Sequence, residues 1–351
     1  MAMKNVLAST STRSFGTSGF RTRVTRSAAS SNASGPTRNS YPKDFLSLTD
    51  LDAGRLEETL RLSARLKQER RLGRRAPTAQ ALASVHVALL FEKPSLRTHA
   101  TFEIAVRELG GDVIAPSRDV AMGSRETPAD VARNLERWVA AVVMRTFAQE
   151  RLRTFAAAAP KLHVVNALSN EEHPCQTLAD LLTLRETWGS LRDRTITYVG
   201  DGNNVATSLV HGAMLSGMHV RVSSPDGFEL PSSVVEDAER LSVDGATLTL
   251  VRDPREAVTG TGAVYTDVWT SMGQESEEAE RRRVFLPYQV NGVLMSYATP
   301  DTLFMHCLPA HRGDEVTDEV MDAPSSVVFD QAENRLHVQK ALLLTLLTGA
   351  R

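Results

Sequence analysis

Several short stretches of this chain carry side chains that could do acyl- or phosphoryl-transfer chemistry. Ser95, Arg97 and Thr98 fall within F-E-K-P-S-L-R-T, between an apolar run at Val85–Leu90 and a segment with helical spacing at 98–109. Two hydroxyls, a guanidinium and free backbone N–H groups at the mouth of a helix can converge on an oxyanion, and the helix dipole favours negative charge there. Alone, the same residues also fit an ordinary capped helix. Arg145 follows the apolar stretch 140–144, and H-P-C-Q at His173–Gln176 opens a leucine-rich helix. These groups suit an anion or a polarised carbonyl. Farther on stand G-D-G-N-N (Gly200–Asn204), D-V-W-T-S-M-G (Asp267–Gly273) and H-C-L-P (His306–Pro309). They add amides (Asn203, Asn204), a carboxylate, a hydroxyl and a thiol, a set suited to a small polar ligand.

Positioning such groups requires strands that end where the groups begin. The spacing predicts a helix from the Ser47–Asp50 start to about Leu72, then strand 84–91, a helix to Leu109 stopped by Gly110-Gly111, and a short strand at 112–115. A helix starts at Thr127-Pro128, where a hydroxyl cap precedes proline, and runs to about Trp138. Strand 140–144, helix 149–159, strand 163–167 and a helix to Thr187 complete the first half. Trp188-Gly189 reads as a boundary, after which strands are expected at 195–199, 220–223, 247–251, 263–266 and 301–305, with a helix at 232–241. A last strand is expected at 327–329 and a closing amphipathic helix at 334–347. Strands alternating with helices give α/β architecture: two doubly wound parallel-sheet domains joined by helices. In such sheets ligands collect at the carboxyl ends of strands, where the chemistry-bearing residues fall. The charged stretch Glu275–Arg283 is polar enough to be a mobile cover.

At 351 residues the chain suits two domains, and its 42% hydrophobic and 23% charged content is that of a globular protein. A net charge of −2 gives no global basic field for nucleic acid, and no apolar run reaches membrane-spanning length. The two cysteines, Cys175 and Cys307, both lie in motif-like stretches, so neither a disulfide nor a metal cluster is expected, and Cys175 reads as a small buried helix residue. Residues 1–43 differ in kind. They are rich in Ser, Thr and Arg and contain no Asp or Glu, the composition of an organelle transit peptide. They are expected to be disordered. Hydroxyl content and V-T-R-S-A-A at Val24–Ala29 favour a plastid, with the mitochondrial matrix as alternative.

Taken in order, S-L-R-T, H-P-C-Q, D-G-N-N, D-V-W-T-S-M-G, H-C-L-P and A-E-N-R (Ala332–Arg335) resemble the ornithine carbamoyltransferases of the aspartate/ornithine carbamoyltransferase superfamily. The resemblance runs from about residue 43 to the C-terminus. It implies that fold, with a carbamoyl phosphate-binding domain at 44–188 completed by the helix 334–351, and an ornithine-binding domain at 189–333. It implies carbamoyl transfer from carbamoyl phosphate to the δ-amine of L-ornithine, giving L-citrulline and phosphate as in arginine biosynthesis, without cofactor or metal. It also implies a homotrimer. Carried over residue by residue, it puts phosphate on Ser95, the Leu96 N–H, Arg97 and Thr98. Arg145 and His173 would polarise the carbonyl oxygen. Gln176 and the Cys307–Leu308 backbone would hold the carbamoyl NH2, with Arg335 reaching in from the last helix. Asn204, Asp267, Ser271 and Met272 would meet the α-amino and carboxylate groups of ornithine. A Cys307 thiolate beside Asp267 is expected to orient or deprotonate the δ-amine, with covalent catalysis by Cys307 as the alternative.

Two positions depart from the family pattern. His99 stands where arginine is usual and could soften the anion site. Ala121 stands where a glutamine commonly reaches a neighbouring subunit's substrate, so carbamoyl phosphate binding is expected to be weakened, and Ala121→Gln to restore it. Competing readings are a carbamoyltransferase for putrescine or acetylornithine, and a catalytically impaired paralogue that keeps the fold. A nicotinamide-dependent dehydrogenase would need a third glycine after G-D-G, and Val205 stands there.

Overall fold

In the computed structural model the described residues are 21–24, 41–117, 125–271 and 273–350. Ala121 and Met272 lie outside them, as do residues 1–20 and 25–40. In chain order the elements begin with β1 (Arg21–Val24), α1 (Ala53–Glu69), β2 (His86–Phe91), α2 (Leu96–Glu108), β3 (Asp112–Ile114) and α3 (Pro128–Leu135). Next come β4 (Ala141–Arg145), α4 (Gln149–Ala158), β5 (His163–Leu168) and α5 (Pro174–Trp188). The second half holds β6 (Thr195–Val199), α6 (Asn204–Leu215), β7 (His219–Ser223), α7 (Ser232–Leu241), β8 (Thr247–Val251), α8 (Pro254–Val258) and β9 (Ala263–Thr266). It closes with α9 (Glu278–Phe285), α10 (Gly292–Met295), β10 (Leu303–His306), α11 (Asp318–Met321) and α12 (Val328–Thr348).

Two sheets result, as the alternation predicts. One has the order β3-β2-β4-β5 and is parallel throughout; the other has the order β1-β8-β7-β6-β9-β10 and is parallel except for β1. Covered on both faces, the strands read as continuous apolar runs: β4 is buried at every residue. The sheets do not have separate cores. One apolar cluster runs from Phe45, Phe102 and Val143 through Leu178 and Leu181 on α5 to Leu209 and Val210 on α6, and on to Tyr198 and Val220. α5 and α6 pack tightly at Gly212, where an added Cβ would lie 2.5 Å from Thr177 Cγ2.

Two expectations need correction. Residues 1–43 are not uniformly without structure, because Arg21–Val24 pairs antiparallel with β8, from Arg21 opposite Val251 to Val24 opposite Leu248. The reason is local: β8 ends the parallel array with unpaired backbone groups, and R-T-R-V is extended enough to take them. Residues 327–329 are not a strand. Val328 and Phe329 form the first turn of α12, which therefore starts six residues before Asn334. Their β-branched and aromatic character favours a strand locally, but Val328 is buried beside Phe304 in the second domain's satellite core, and that packing prevails.

Candidate active site

The carboxyl ends of β2, β4, β5, β6, β9 and β10 open on one cleft of about 770 Å³, lined among others by Ser95, Leu96, Arg97, Arg145 and His173 from the first half. Asn204, Asp267, Ser271, Cys307, Leu308 and Arg335 line it from the rest of the chain. Thr98 and Gln176 are buried and do not line it; Thr98 bonds Arg335 of the lining. Thus most of the residues singled out in the sequence converge on one place, with Gln176, His99 and Cys175 outside its lining.

At the anion end, Ser95 caps α2, its hydroxyl oxygen accepting the Thr98 N–H at 3.3 Å. The cap and the anion site are therefore one structure: capping holds the first turn of α2, and the N–H groups ahead of Thr98 stay free of helical partners. Thr98 is fully buried, and its hydroxyl accepts from Arg335 at 2.5 Å. Arg145 ends β4 at a register shift against β5, where it opposes Leu168, and such an irregularity re-aims the side chain at a strand end. Burial, then the charge of Arg335, lowers its guanidinium to about 10, which leaves it protonated at neutral pH. Burial likewise lowers Arg97 and Arg335, and Nε of both Arg145 and Arg335 finds no partner among the described residues. Three guanidiniums near enough to act on one another, with no ion-pair partner among the described residues, make a receptor for a polyanion.

His173 sits just ahead of Pro174 at the start of α5, its backbone N–H donating to Ser208 Oγ at 2.9 Å. Burial, then Arg335 and Arg145, holds the imidazole well below its usual 6.5, so it is neutral and its unpartnered Nδ1 is free to bond a substrate oxygen or proton. Gln176 gives its amide N–H to Asp180 at 2.8 Å.

At the amine end, Asp267 leaves β9 with both oxygens engaged, Oδ2 by Asn203 Nδ2 at 2.9 Å and Oδ1 by Cys307 Sγ at 2.9 Å. Asn203 is thus no ligand amide. Its oxygen caps α6 through the N–H groups of Val205 and Ala206, and its nitrogen orients the carboxylate. Asn204 donates to the Ser169 carbonyl at 2.6 Å, leaving its own carbonyl for the cleft. The thiolate expected at Cys307 is corrected: burial, then the neighbouring Asp267 charge, pushes the thiol well above 9, so the group is an S–H donor. Leu308 takes φ +57° and donates its N–H to His306 Nδ1, while His306 Nε2 faces the buried Glu315 at 3.1 Å. Asp267, His306 and Cys307 could in type form a ligand trio, but both His306 nitrogens are committed inward.

Other findings were not foreseen. Lys93 is buried, donates to Asn170 at 2.8 Å and lies 4.3 Å from the centre of the Phe147 ring, so a fourth cation lines the anion side. Its signal was a lysine at a strand end, in the same stretch as Ser95. Within 275–283, the stretch expected to be a mobile cover, Arg281 is buried, bonds Asp201 at 2.8 Å and the Trp269 carbonyl at 2.9 Å, and lies over the Phe228 ring. His99 stands off the cleft, edge-on to Phe91 and 3.7 Å from Glu103, so it does not soften the anion site by contact. Cys175, by contrast, is the buried helix residue that the sequence suggests, its thiol donating to the Asn166 carbonyl.

Comparison with known proteins agrees along the chain. The family described as aspartate/ornithine carbamoyltransferase, carbamoyl-P binding domain, matches residues 43–186, and the Asp/Orn binding domain of the same family matches residues 192–346. The ornithine carbamoyltransferase of Anoxybacillus flavithermus is 46% identical over 307 residues, 87% of this chain and 96% of its own length. That of Mycolicibacterium paratuberculosis is 48% identical over 309 residues, 87% of this chain and 98% of its own. Among solved structures, the Pyrococcus furiosus ornithine carbamoyltransferase superposes with a TM-score of 0.82 at 43% identity, covering 88% of this chain and 97% of that one. A mitochondrial ornithine carbamoyltransferase from Coccidioides immitis gives 0.81 at 29% identity, covering 88% and 98%.

Proposed function

Since the chain belongs to the aspartate/ornithine carbamoyltransferase family, we infer that its cleft transfers the carbamoyl group of carbamoyl phosphate to the δ-amine of L-ornithine, releasing L-citrulline and phosphate. The observation that carries this reading is one cleft with Arg97, Arg145 and Arg335 at one end and the Asp267–Cys307 pair at the other. The first end suits a phosphate ester, and the second suits a cationic amino acid.

The neutral δ-nitrogen attacks the carbonyl carbon, a C–N bond forms and the C–O bond to phosphate breaks. The nitrogen loses a proton to the departing phosphate, which carries away the electron pair of the broken bond. Arg145 and the neutral His173 suit the carbonyl oxygen as it becomes an oxyanion, and Ser95, Leu96 N–H, Arg97 and Thr98 suit the phosphate. Asn204, Asp267 and Ser271 suit the α-amino and carboxylate groups of ornithine. Because Cys307 is a neutral thiol bonded to Asp267, it orients the amine side and does not act as a nucleophile. Holding two small substrates in line supplies much of the remaining rate.

The resemblance supports a homotrimer. The acid-free leader supports import into a plastid, with the mitochondrial matrix as the alternative; the family match begins only at residue 43. Among the described residues no helix is long and apolar enough to cross a membrane.

The deciding experiment is citrulline formation from carbamoyl phosphate with ornithine, putrescine and acetylornithine in parallel, and with Arg97→Ala as control. At carbamoyl phosphate well below saturation, turnover with ornithine alone, cut at least about tenfold in the control, is expected. A preference for putrescine, or near-normal activity in Arg97→Ala, overturns the reading.

A further inference from the structure

Asp180 is a fully buried carboxylate that touches none of the groups assigned to the reacting atoms except Gln176. It lies one helical turn after Gln176 on α5, on the same face. Its Oδ1 accepts two amide N–H groups, from Gln176 Nε2 at 2.8 Å and from Gln331 Nε2, in the first turn of α12, at 2.9 Å. Gln331 in turn accepts the backbone N–H of His306 on its Oε1 at 3.0 Å, one residue before Cys307. The Gln176 Oε1 is buried and has no partner among the described residues.

A glutamine amide has two ends of nearly the same shape and opposite polarity, and its neighbours decide which end points where. An ionised carboxylate accepts only. Burial raises Asp180 to about 6, against the N–H groups of Gln331 and Gln176, so it is ionised at pH 7.5. Both amides must therefore turn nitrogen toward Asp180 and oxygen away from it. For Gln331 the oxygen meets the His306 N–H; for Gln176 it remains a buried acceptor with no partner among the described residues.

We propose that Asp180 is a positioning residue that fixes the acceptor end of Gln176 toward the substrate, and so makes the site select a carbamoyl group over an acyl group of the same shape. This rests on the reading of the cleft as a carbamoyl phosphate site. The carbamoyl NH2 donates to the waiting oxygen. A methyl group in the same place leaves that oxygen buried and unpaired, and polar sites reject such analogues strongly.

The test uses carbamoyl phosphate, acetyl phosphate (methyl in place of NH2) and inorganic phosphate as probes, titrated against the folded full chain at pH 7.5. The wild type is expected to hold carbamoyl phosphate at least about tenfold more tightly than acetyl phosphate, the fold-change of one lost hydrogen bond to a buried group. Asp180→Leu should bring that ratio close to one while leaving inorganic phosphate affinity within about twofold, since the cations are untouched. Asp180→Asn, which can keep an acceptor at Oδ1, should retain the ratio. Gln331→Leu should also retain it, because Gln176 stays held, while citrulline turnover falls as the His306 N–H loses its acceptor. If Asp180→Leu does not fold, Asp180→Ala carries the same expectation. A preserved ratio in the leucine or alanine variant, or a collapse in Gln331→Leu as deep as theirs, overturns the proposal. A wild type that makes no citrulline sinks the carbamoyltransferase reading itself, which these ratios do not measure.

Discussion

Cys307 Sγ donates to Oδ1 of Asp267 at 2.9 Å, while Asn203 holds the other oxygen of the same carboxylate at the same distance. A thiol that donates to a carboxylate loses its hydrogen bond and gains a repulsion on ionising, so it stays protonated. Iodoacetamide at pH 7.5 should therefore alkylate Cys307 at least about tenfold more slowly than a free thiol, since the thiolate is the reactive form. Peptide mapping over a time course checks this, and labelling as fast as free cysteine would show that the pair does not hold in solution.

Arg97 and Arg145 occupy different parts of the cation cluster, so their kinetic signatures should separate. Losing a charge-assisted contact costs roughly 1.5–3 kcal/mol. Arg97→Ala should appear chiefly as a KM for carbamoyl phosphate raised by roughly 10- to 100-fold. Arg145→Ala removes a donor to the developing oxyanion and should lower kcat by about 100- to 1,000-fold. Equal effects of both variants on KM alone would argue that Arg145 binds only the ground state.

Arg281 clamps the segment after Asp267 to Asp201 and to the Trp269 carbonyl. Removing it leaves Asp201 mostly buried and unpaired and frees the backbone that carries Ser271. Arg281→Ala should raise the KM for ornithine at least about tenfold while that for carbamoyl phosphate moves by less than about twofold, because the disturbance is confined to one end of the cleft. Equal shifts in both constants would indicate global loosening.

Stability should fall on the acid side, in two stages. His173 is held below its usual 6.5 by burial and by Arg335 and Arg145, so the unfolded chain takes up a proton first. Its contribution is complete above pH 6.5 and is lost as pH drops below that value. Burial alone would raise Glu172, but His211 at 3.6 Å, the Ser47 hydroxyl and the Leu48 N–H together hold it below 4.5; its contribution is complete above pH 4.5 and lost beneath. Thermal melts between pH 8 and 4 should show both declines. His173→Gln should flatten the upper one, by up to about 1.4 kcal/mol per pH unit. An unchanged slope between pH 6.5 and 5 in that variant would exclude His173 as its source.

Gly212→Ala should destabilise the protein by about 1–3 kcal/mol, because the new methyl meets Thr177 across the α5–α6 contact and the core there is continuous. Denaturant unfolding measures it. Pairing Gly212→Ala with Thr177→Ser, which removes the facing methyl, should recover most of the loss.

Much of the site was legible because a parallel sheet brings every strand's carboxyl end to one side. Arg145, His173, Asp267 and Cys307 each follow an apolar run, and that position alone gathers them. Asp180 and Gln331 were not legible. Each looks like an unremarkable polar residue on a leucine-rich helix, and they become partners only when helices 151 positions apart pack together. Asn203 was misread for the opposite reason: an amide beside a ligand amide invites the same role, whereas helix capping had already claimed its oxygen. The strand expected at 327–329 failed because tertiary burial of Val328 outweighed local propensity.

Arg335 reaches Thr98 across 237 positions of chain, from the final helix back to the first anion-binding turn. A ribosome must therefore deliver nearly all of this polypeptide before the anion end of the cleft can close. A growing chain that had already folded its first sheet would still lack that last cation, as would a product clipped ahead of α12. Phosphate affinity thereby doubles as a readout of when topology is complete.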